Sequence, residues 1–217
     1  MIIAIDGPAG SGKSTIAKEL AKKLGILYVD SGAMFRAITY SLIHNSIELS
    51  NAAVLEHLRT ISVTLEIQNG SQETFLNGKN VSVEIRTKEV TSLVSLVSTL
   101  PSVREWILVQ QRIVAENNDL IMDGRDIGTV VFPNATYKFF LTASLEERAK
   151  RRTLEMNQKG VDVEKVTIQQ EIEKRDALDS SRSLAPLQKA TDAIEIDTTL
   201  LTIEEVSSII FTTVNKG

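Results

Sequence analysis

The 217-residue chain has no cysteine and only two histidines, His44 and His57. The first absence removes disulfides, thiolate catalysis and cysteine-based zinc sites, and it suits a reducing compartment. The second leaves too few imidazoles for a histidine-rich metal centre. No apolar run approaches the ~18–20 residues that span a bilayer. The apolar N-terminal stretch follows no basic region and is too short for a signal peptide. A soluble, cytoplasmic protein is expected. The formal net charge of −4 argues against general nucleic-acid binding and leaves only local basic patches. No repeat, low-complexity tract or long linker is visible. With 42% hydrophobic and 24% charged residues, the chain suits one α/β domain with a self-sufficient core.

What is present is concentrated near the start. Gly7-Pro8-Ala9-Gly10-Ser11-Gly12-Lys13-Ser14 fits G-x-x-x-x-G-K-[ST], the Walker A or P-loop pattern. Glycine lets a backbone curl close to a ligand. The curled loop aims N–H groups at one point, and the next helix adds its positive end there. Lys13 supplies a point charge for outer phosphates, and the Ser14 hydroxyl is a Mg²⁺ ligand candidate. The flanks have the required order. Met1-Ile2-Ile3-Ala4-Ile5 is fit for a buried parallel strand. Ile16, Leu20, Ala21 and Leu24 recur at helical spacing, with Gly25 as the stop. The motif fixes phosphate binding but does not choose between a kinase, a switch GTPase and a motor ATPase.

Further along, Ile26–Asp30 reads as a second strand ending on a carboxylate, and Ser31-Gly32 turns into a helix bearing Met34, Ile38 and Leu42. In residues 61–85, Ile61, Val63, Leu65 and Ile67 alternate with mostly polar residues, and Asn69-Gly70 and Asn77-Gly78 follow. That pattern predicts a small antiparallel hairpin or meander, inserted into a β-α-β rhythm. Val90, Leu93, Val94 and Val97 mark an amphipathic helix. Another helix begins at Pro101 and runs to about Asn117. Strands are expected at Leu120–Asp123, Tyr137–Leu141 and Ala193–Asp197, and a last helix carries Val206, Ile209 and Ile210.

Leu120-Ile121-Met122-Asp123 resembles a Walker B strand, whose carboxylate orders the hydration shell of Mg²⁺ at Ser14. Arg125 and Asp126 follow as a fork donor and an acceptor, suited to a small polar group. Two charged groups come later, Arg148-Ala149-Lys150-Arg151-Arg152 and Lys174 to Arg182. A basic run is commonly a solvated helix face. These runs follow the fourth strand, where a kinase needs a mobile cover, and phosphoryl transfer needs positive charge on the migrating group. Arginine binds phosphate oxygens bidentately. Lys159-Gly160 is the expected turn between two lid helices.

Together these residues resemble the bacterial cytidylate kinases, a branch of the nucleoside monophosphate kinases. The likeness runs from Ile3 to about Asp197. It rests on Asp6–Thr15, Asp30–Arg36, Glu84–Thr87, Val103–Glu105, Gln111-Arg112, Arg175-Asp176 and Ala185–Leu187, and most specifically on Asp123-Gly124-Arg125-Asp126-Ile127-Gly128-Thr129-Val130-Val131-Phe132-Pro133. The resemblance implies a P-loop NTPase-type α/β fold: a parallel five-stranded sheet flanked by helices, a small antiparallel β insert and a helical lid. In a single domain spanning 1–217, the core would be about 1–60, 86–147 and 183–217, the insert about 61–85 and the lid about 148–182.

The implied reaction is ATP + CMP (or dCMP) → ADP + CDP (or dCDP) with Mg²⁺, within pyrimidine nucleotide metabolism. By motif position, Gly7, Pro8, Ala9, Gly10, Ser11, Gly12, Lys13, Ser14 and Thr15 would hold ATP, with Arg152 a lid contact near its adenine or phosphates. Ser31, Arg36, Ser95, Arg112, Arg125, Asp126, Arg175 and Asp179 would hold CMP. Arg36 and Arg125 are candidates for its phosphate, Arg125 and Asp126 for the cytosine edge, whose N4 amine favours a carboxylate. Ser95, Arg175 and Asp179 are candidates for the sugar. Lys13, Asp123, Arg125 and Arg182 are the candidate catalytic residues, with Ser14 at the metal and Arg182 reaching the transferred group. The partners are small molecules, with no nucleic acid and no membrane, and a monomer is expected. The chain departs from the family at Phe35, where tyrosine is frequent, and at Ala177 and Leu178, where some members carry an arginine and an acid. The nearest rival is a P-loop kinase of another nucleotide or of a non-nucleotide alcohol, and the rival from another class is a GTP-dependent switch. Such proteins read guanine with Asn-Lys-x-Asp, whereas Asn77-Gly78-Lys79-Asn80 lacks the pattern.

Overall fold

The computed structural model describes residues 1–68, 71–158 and 160–216. In chain order the elements are β1 (Ile2–Asp6), α1 (Lys13–Leu24), β2 (Leu27–Asp30), α2 (Ser31–His44), α3 (Asn51–Leu58), β3 (Val63–Gln68), β4 (Ser71–Leu76) and β5 (Lys79–Asn80). There follow α4 (Lys88–Val97), α5 (Pro101–Ala115), β6 (Leu120–Gly124), β7 (Tyr137–Thr142), α6 (Leu145–Gln158), α7 (Lys165–Ser181), β8 (Ile194–Asp197) and α8 (Ile203–Lys216). They form a five-stranded sheet in the order β2-β6-β1-β7-β8 and a three-stranded sheet β3-β4-β5. The chain divides into two compact units, Met1–Leu27 with Asp119–Gly217, and Tyr28–Asn118.

In the first unit, β1 runs parallel to β6 and to β7, and β8 runs parallel to β7. The central strands are continuously apolar because both their faces are covered. Ile3, Ala4, Ile5, Leu120, Ile121, Met122 and Leu141 have no exposed surface. α1 buries Ile16, Leu20 and Ala21 and stops at Gly25, which is left-handed and whose N–H donates to the Ala21 carbonyl. The basic runs fall on two helices, α6 and α7. Ala149, Ile168 and Ile172 form a small apolar cluster with Ala9 of the glycine loop. Of the expected Lys159-Gly160 turn, Lys159 lies outside the described residues, and Gly160 has φ of 76°.

The second unit has its own core. Ala33, Met34, Ala37, Ile38 and Leu42 of α2 pack with Val63, Val81, Ile85, Val97, Val103 and Ile107. β3 and β4 are antiparallel, with Gln68 opposite Ser71; the expected Asn69-Gly70 turn lies outside the described residues. Asn77 and Gly78 have φ of 49° and 77°, the two positive values that a type I′ turn demands, and Leu76 pairs with Lys79 across it. Burial fades outward along β3, from Val63 in the core to an exposed Ile67. α3 has no counterpart in the sequence reading. It is short, it is capped by Ser50 accepting from the Ala53 N–H, and it buries only Val54 and Leu58.

One backbone position sets how closely the glycine loop leaves the sheet. Gly7 has φ of 150°, and a Cβ there would lie 2.0 Å from the Leu141 carbonyl oxygen of β7. The atom it would meet is strand backbone, held in place by the pairing of Leu141 with Ile196 of β8. Gly7→Ala is therefore expected to destabilise the protein by about 3 kcal/mol or more, measured by urea unfolding. A loss below about 1 kcal/mol would show that the loop has room the geometry denies.

Candidate nucleotide-binding site

The loop after β1 ends at Gly12, which is left-handed at φ of 88° and caps α1, so α1 begins with its free N–H groups turned into the loop. Lys13 is buried. Its Nζ donates to the Pro8 carbonyl at 2.6 Å and to Ser11 Oγ at 3.3 Å, folding the side chain over the loop. Burial, reinforced by the Arg125 charge, pushes the Lys13 pKa well below the usual lysine range, while Asp123 and Asp6 oppose the shift. An incoming polyphosphate would supply the missing counter-charge. Ser14 Oγ donates to Asp123 Oδ2 at 2.7 Å. The Walker A hydroxyl and the strand-end carboxylate thus meet as the sequence implied, because β1 and β6 run in register with Ile5 opposite Asp123.

Helices α6 and α7 grip the same loop. Asp176 of α7 accepts the Ala9 N–H at 3.1 Å, and Arg148 of α6 donates to the Ala9 carbonyl at 2.9 Å and to the Ala143 carbonyl at 3.0 Å. Arg148 and Asp176 also form an ion pair. Arg148 is therefore a buried structural clamp and not part of a solvated face. Arg151 donates to Thr198 Oγ1 at 2.9 Å and to the Thr198 carbonyl at 2.6 Å, and Thr198 Oγ1 in turn donates to the Ser11 carbonyl at 3.3 Å. Arg152, singled out from the sequence, donates to Glu155.

Beyond β6, Arg125 Nε donates to Asp179 Oδ2 at 2.8 Å, and Arg182 forms an ion pair with the other Asp179 oxygen. Burial alone would raise the Asp179 pKa, but Arg125, Arg182 and Arg175 together hold it below the usual carboxylate range. The structure thus gathers Arg125, Arg175 and Arg182 around the one carboxylate of Asp179. The Tyr28–Asn118 unit carries Ser31, Arg36, Ser95 and Arg112. Ser31 is buried at the start of α2, capped by Asp30 accepting from the Ala33 N–H. Asp30 also receives Arg86 at 3.3 Å and donates its N–H to Gln72 of β4 at 2.8 Å. Arg36 donates to Thr91 Oγ1 at 2.8 Å and to the Ile85 carbonyl at 3.2 Å. Ser95 is buried on α4 and Arg112 stands in the last turn of α5. Phe35 lies under the Arg104 guanidinium, 5.6 Å from its ring centroid.

The sequence reading assigned no role to Asp6. It is buried, and it accepts the Ile127 N–H at 2.8 Å and the Gly128 N–H at 2.7 Å. Burial, with a smaller contribution from the Asp126 charge, raises its pKa from 3.8 to about 6. The available signal was an acid ending an otherwise apolar strand beside the motif. Its partners, far along the chain, had no signal.

A glycine loop between a buried parallel strand and a helix, its lysine folded inward and its serine bonded to a Walker B-type carboxylate, defines a P-loop nucleotide-binding protein of the α/β class. A family model described as cytidylate kinase matches residues 3–216, and the chain belongs to that family. It is 50% identical to a cytidylate kinase of Geobacillus sp. over 215 residues, covering 99% of this chain and 96% of that one. It is 49% identical to a cytidylate kinase of Caldanaerobacter subterraneus over 216 residues, covering 99% of this chain and 95% of the other. Among solved structures, an uncharacterized protein from Eubacterium ventriosum is similar with a TM-score of 0.54 at 14% identity, covering 100% of this chain and 99% of that one, a likeness of fold alone.

Asp6 gives stability a pH dependence of definite sign. Protonation of a carboxyl whose pKa is raised on folding favours the native state below about pH 4. That benefit is lost as pH rises through about 6. Relative to Asp6→Asn, the wild type should therefore lose about 1 kcal/mol between pH 5 and pH 8. Urea unfolding of both proteins checks this, and parallel pH profiles would refute the buried, shifted carboxyl.

Proposed function

We infer that this chain transfers the γ-phosphoryl group of ATP to CMP or dCMP, giving ADP and CDP or dCDP. The observation that carries this reading is the pairing of two features at the end of β6. Asp123 meets the P-loop serine, and two residues later Arg125 meets a buried, arginine-rich carboxylate cluster. In this reading one strand end would serve both a phosphate loop and a cluster of arginines, which suits a reaction between two phosphate-bearing molecules.

In this reading Gly7 to Thr15 cradle the triphosphate of ATP, and Lys13 unfolds from the Pro8 carbonyl onto its outer oxygens. Arg152 contributes on the lid, and Arg151, already beside the loop, is better placed to do so. Ser14 and Asp123 are hard oxygen donors suited to Mg²⁺ brought in on the nucleotide. Among the described residues no cluster of three or more acidic or histidine side chains could cage a metal alone, which suits an ion held mainly by phosphate and water. Mg²⁺ would neutralise charge on the β- and γ-oxygens. Arg36 and Arg125 take the CMP phosphate, Arg125 and Asp126 the cytosine edge, Ser95, Arg175 and Asp179 the sugar. Ser31 and Arg112 complete the CMP contacts, and Arg182 steadies the moving group.

No protein nucleophile is needed. A CMP phosphate oxygen attacks the γ-phosphorus in line, a new O–P bond forms, and the bond to the β,γ-bridging oxygen breaks with its electron pair left on ADP. The chain contributes positioning and fixed positive charge. Lid closure by α6 and α7 would exclude water and prevent ATP hydrolysis. The absence of cysteine supports a cytoplasmic setting, and we assign the working form as a monomer.

Lys13→Ala should lower turnover about a thousandfold or more with the fold intact by circular dichroism. Near-normal turnover in a coupled ADP-release assay would remove Lys13 from phosphate handling. Asp126→Ala should lower the CMP-over-UMP ratio of kcat/KM about tenfold or more; an unchanged ratio would remove Asp126 from base reading.

A further inference from the structure

We propose that Asp6 is a positioning residue for acceptor selectivity: it caps the turn after Asp126 in place of Asp126 itself, and so keeps the Asp126 carboxylate directed at the nucleotide base. The inference rests on the cytidylate kinase reading above. Residues Ile127–Val131 form a single π-helical turn, in which Val131 N–H bonds to the Asp126 carbonyl at 3.1 Å and Phe132 N–H to the Ile127 carbonyl at 2.7 Å. The first N–H groups of such a turn have no partner within it. An aspartate just before a helical turn ordinarily accepts one of them. Asp126 stands at that position, yet its side chain makes no capping bond. Both leading N–H groups, of Ile127 and Gly128, go instead to the two oxygens of Asp6.

Asp6 ends β1 and immediately precedes Gly7, so the cap comes from the strand that also launches the P-loop. The approach is tight: a Cβ on Gly128 would lie 3.4 Å from Asp6 Oδ2 and 3.2 Å from Lys138 Cδ. The charged groups facing Asp6 are Asp126, which repels it, and Lys13, which attracts it. Lys138 lays its aliphatic stem over Gly128 and spends its Nζ on Asp192 and the Pro133 carbonyl. A buried carboxylate is a costly cap, since a neutral acceptor would avoid the desolvation. Its negative charge does one thing a neutral acceptor would not: it disfavours rotation of Asp126 inward onto its own turn. Removing that charge and one acceptor should let Asp126 swing in as the ordinary cap.

Asp6→Asn keeps the shape but sets an amide N–H₂ against one of the two backbone donors. We expect the CMP-over-UMP ratio of kcat/KM to fall about tenfold and KM for CMP to rise by a similar factor. KM for ATP should change less than about threefold, because the Asp6 side chain makes no hydrogen bond to the P-loop and is the weakest of the charges acting on Lys13. A purely structural Asp6 would lower the melting temperature and leave the ratio unchanged, and that result overturns the proposal. Should the variant fail to fold, the wild type decides. The Ile127 and Gly128 amide signals should shift together as Asp6 titrates near pH 6, and the CMP-over-UMP ratio should fall as pH drops through the same range. Phosphate ionisation cancels in that ratio, so a constant ratio overturns the proposal. A wild type that makes no CDP from CMP would instead overturn the functional reading on which this rests.

Discussion

The parallel pairing of β1 with β6 is the constraint on which the rest of the first unit depends. Because the strands run in register, with Asp6 opposite Gly124, the loops that leave them start side by side. One loop curls as the glycine loop, and the other, leaving β6 just after Asp123, carries Arg125 and Asp126. The short bond from Ser14 to Asp123 follows from that adjacency, as does the reach of Asp6 to the Ile127 and Gly128 N–H groups. Strands buried on both faces cannot slip by one residue without inverting every side chain, so the placement is fixed as firmly as the core.

The second theme is how much charge this unit buries at those strand ends. Asp6, Lys13, Asp123, Asp126, Arg148 and Asp179 are all buried, although each would be better solvated outside. Opposite charges compensate them in part: Arg125 and Arg182 on Asp179, Arg148 on Asp176. For Lys13 and Asp6 burial outweighs the opposite charges nearby, and their pKa values are displaced in the direction that burial dictates. A site preorganised for a polyanion has this character. Its backbone dipoles are set before substrate arrives, Lys13 has only to turn from the Pro8 carbonyl, and the cost of burial falls on stability rather than on the chemical step.

Much of this was legible in the sequence, and the physical reason is that the legible parts are local. The P-loop shows because glycine, lysine and serine are the residues its geometry and chemistry require. The strands show as apolar runs, and Asn77-Gly78 shows because few other pairs take two positive φ values. The meeting of Ser14 with Asp123 could be anticipated, since the Walker pattern prescribes it. Asp6, the Ala9 grip of Arg148 and Asp176, and Arg151 beside Thr198 were not legible in these roles, because each bonds to residues far off in sequence. Arg148 in particular reads as one cation in a basic run, and only packing against Ala9 and Ala143 shows that it is buried. α3 escaped notice because its single cap and two buried positions are too weak a pattern.

The central claim is that the P-loop is the donor half of a two-substrate site and that ATP surrenders its γ-phosphoryl group to CMP, not to water. Following the reaction of the purified chain with Mg·ATP and CMP by phosphorus NMR tests it most directly. ADP and CDP should appear in equal amounts, with no inorganic phosphate and no turnover when CMP is omitted. ADP accompanied by inorganic phosphate, or formed at the same rate without CMP, would contradict the account.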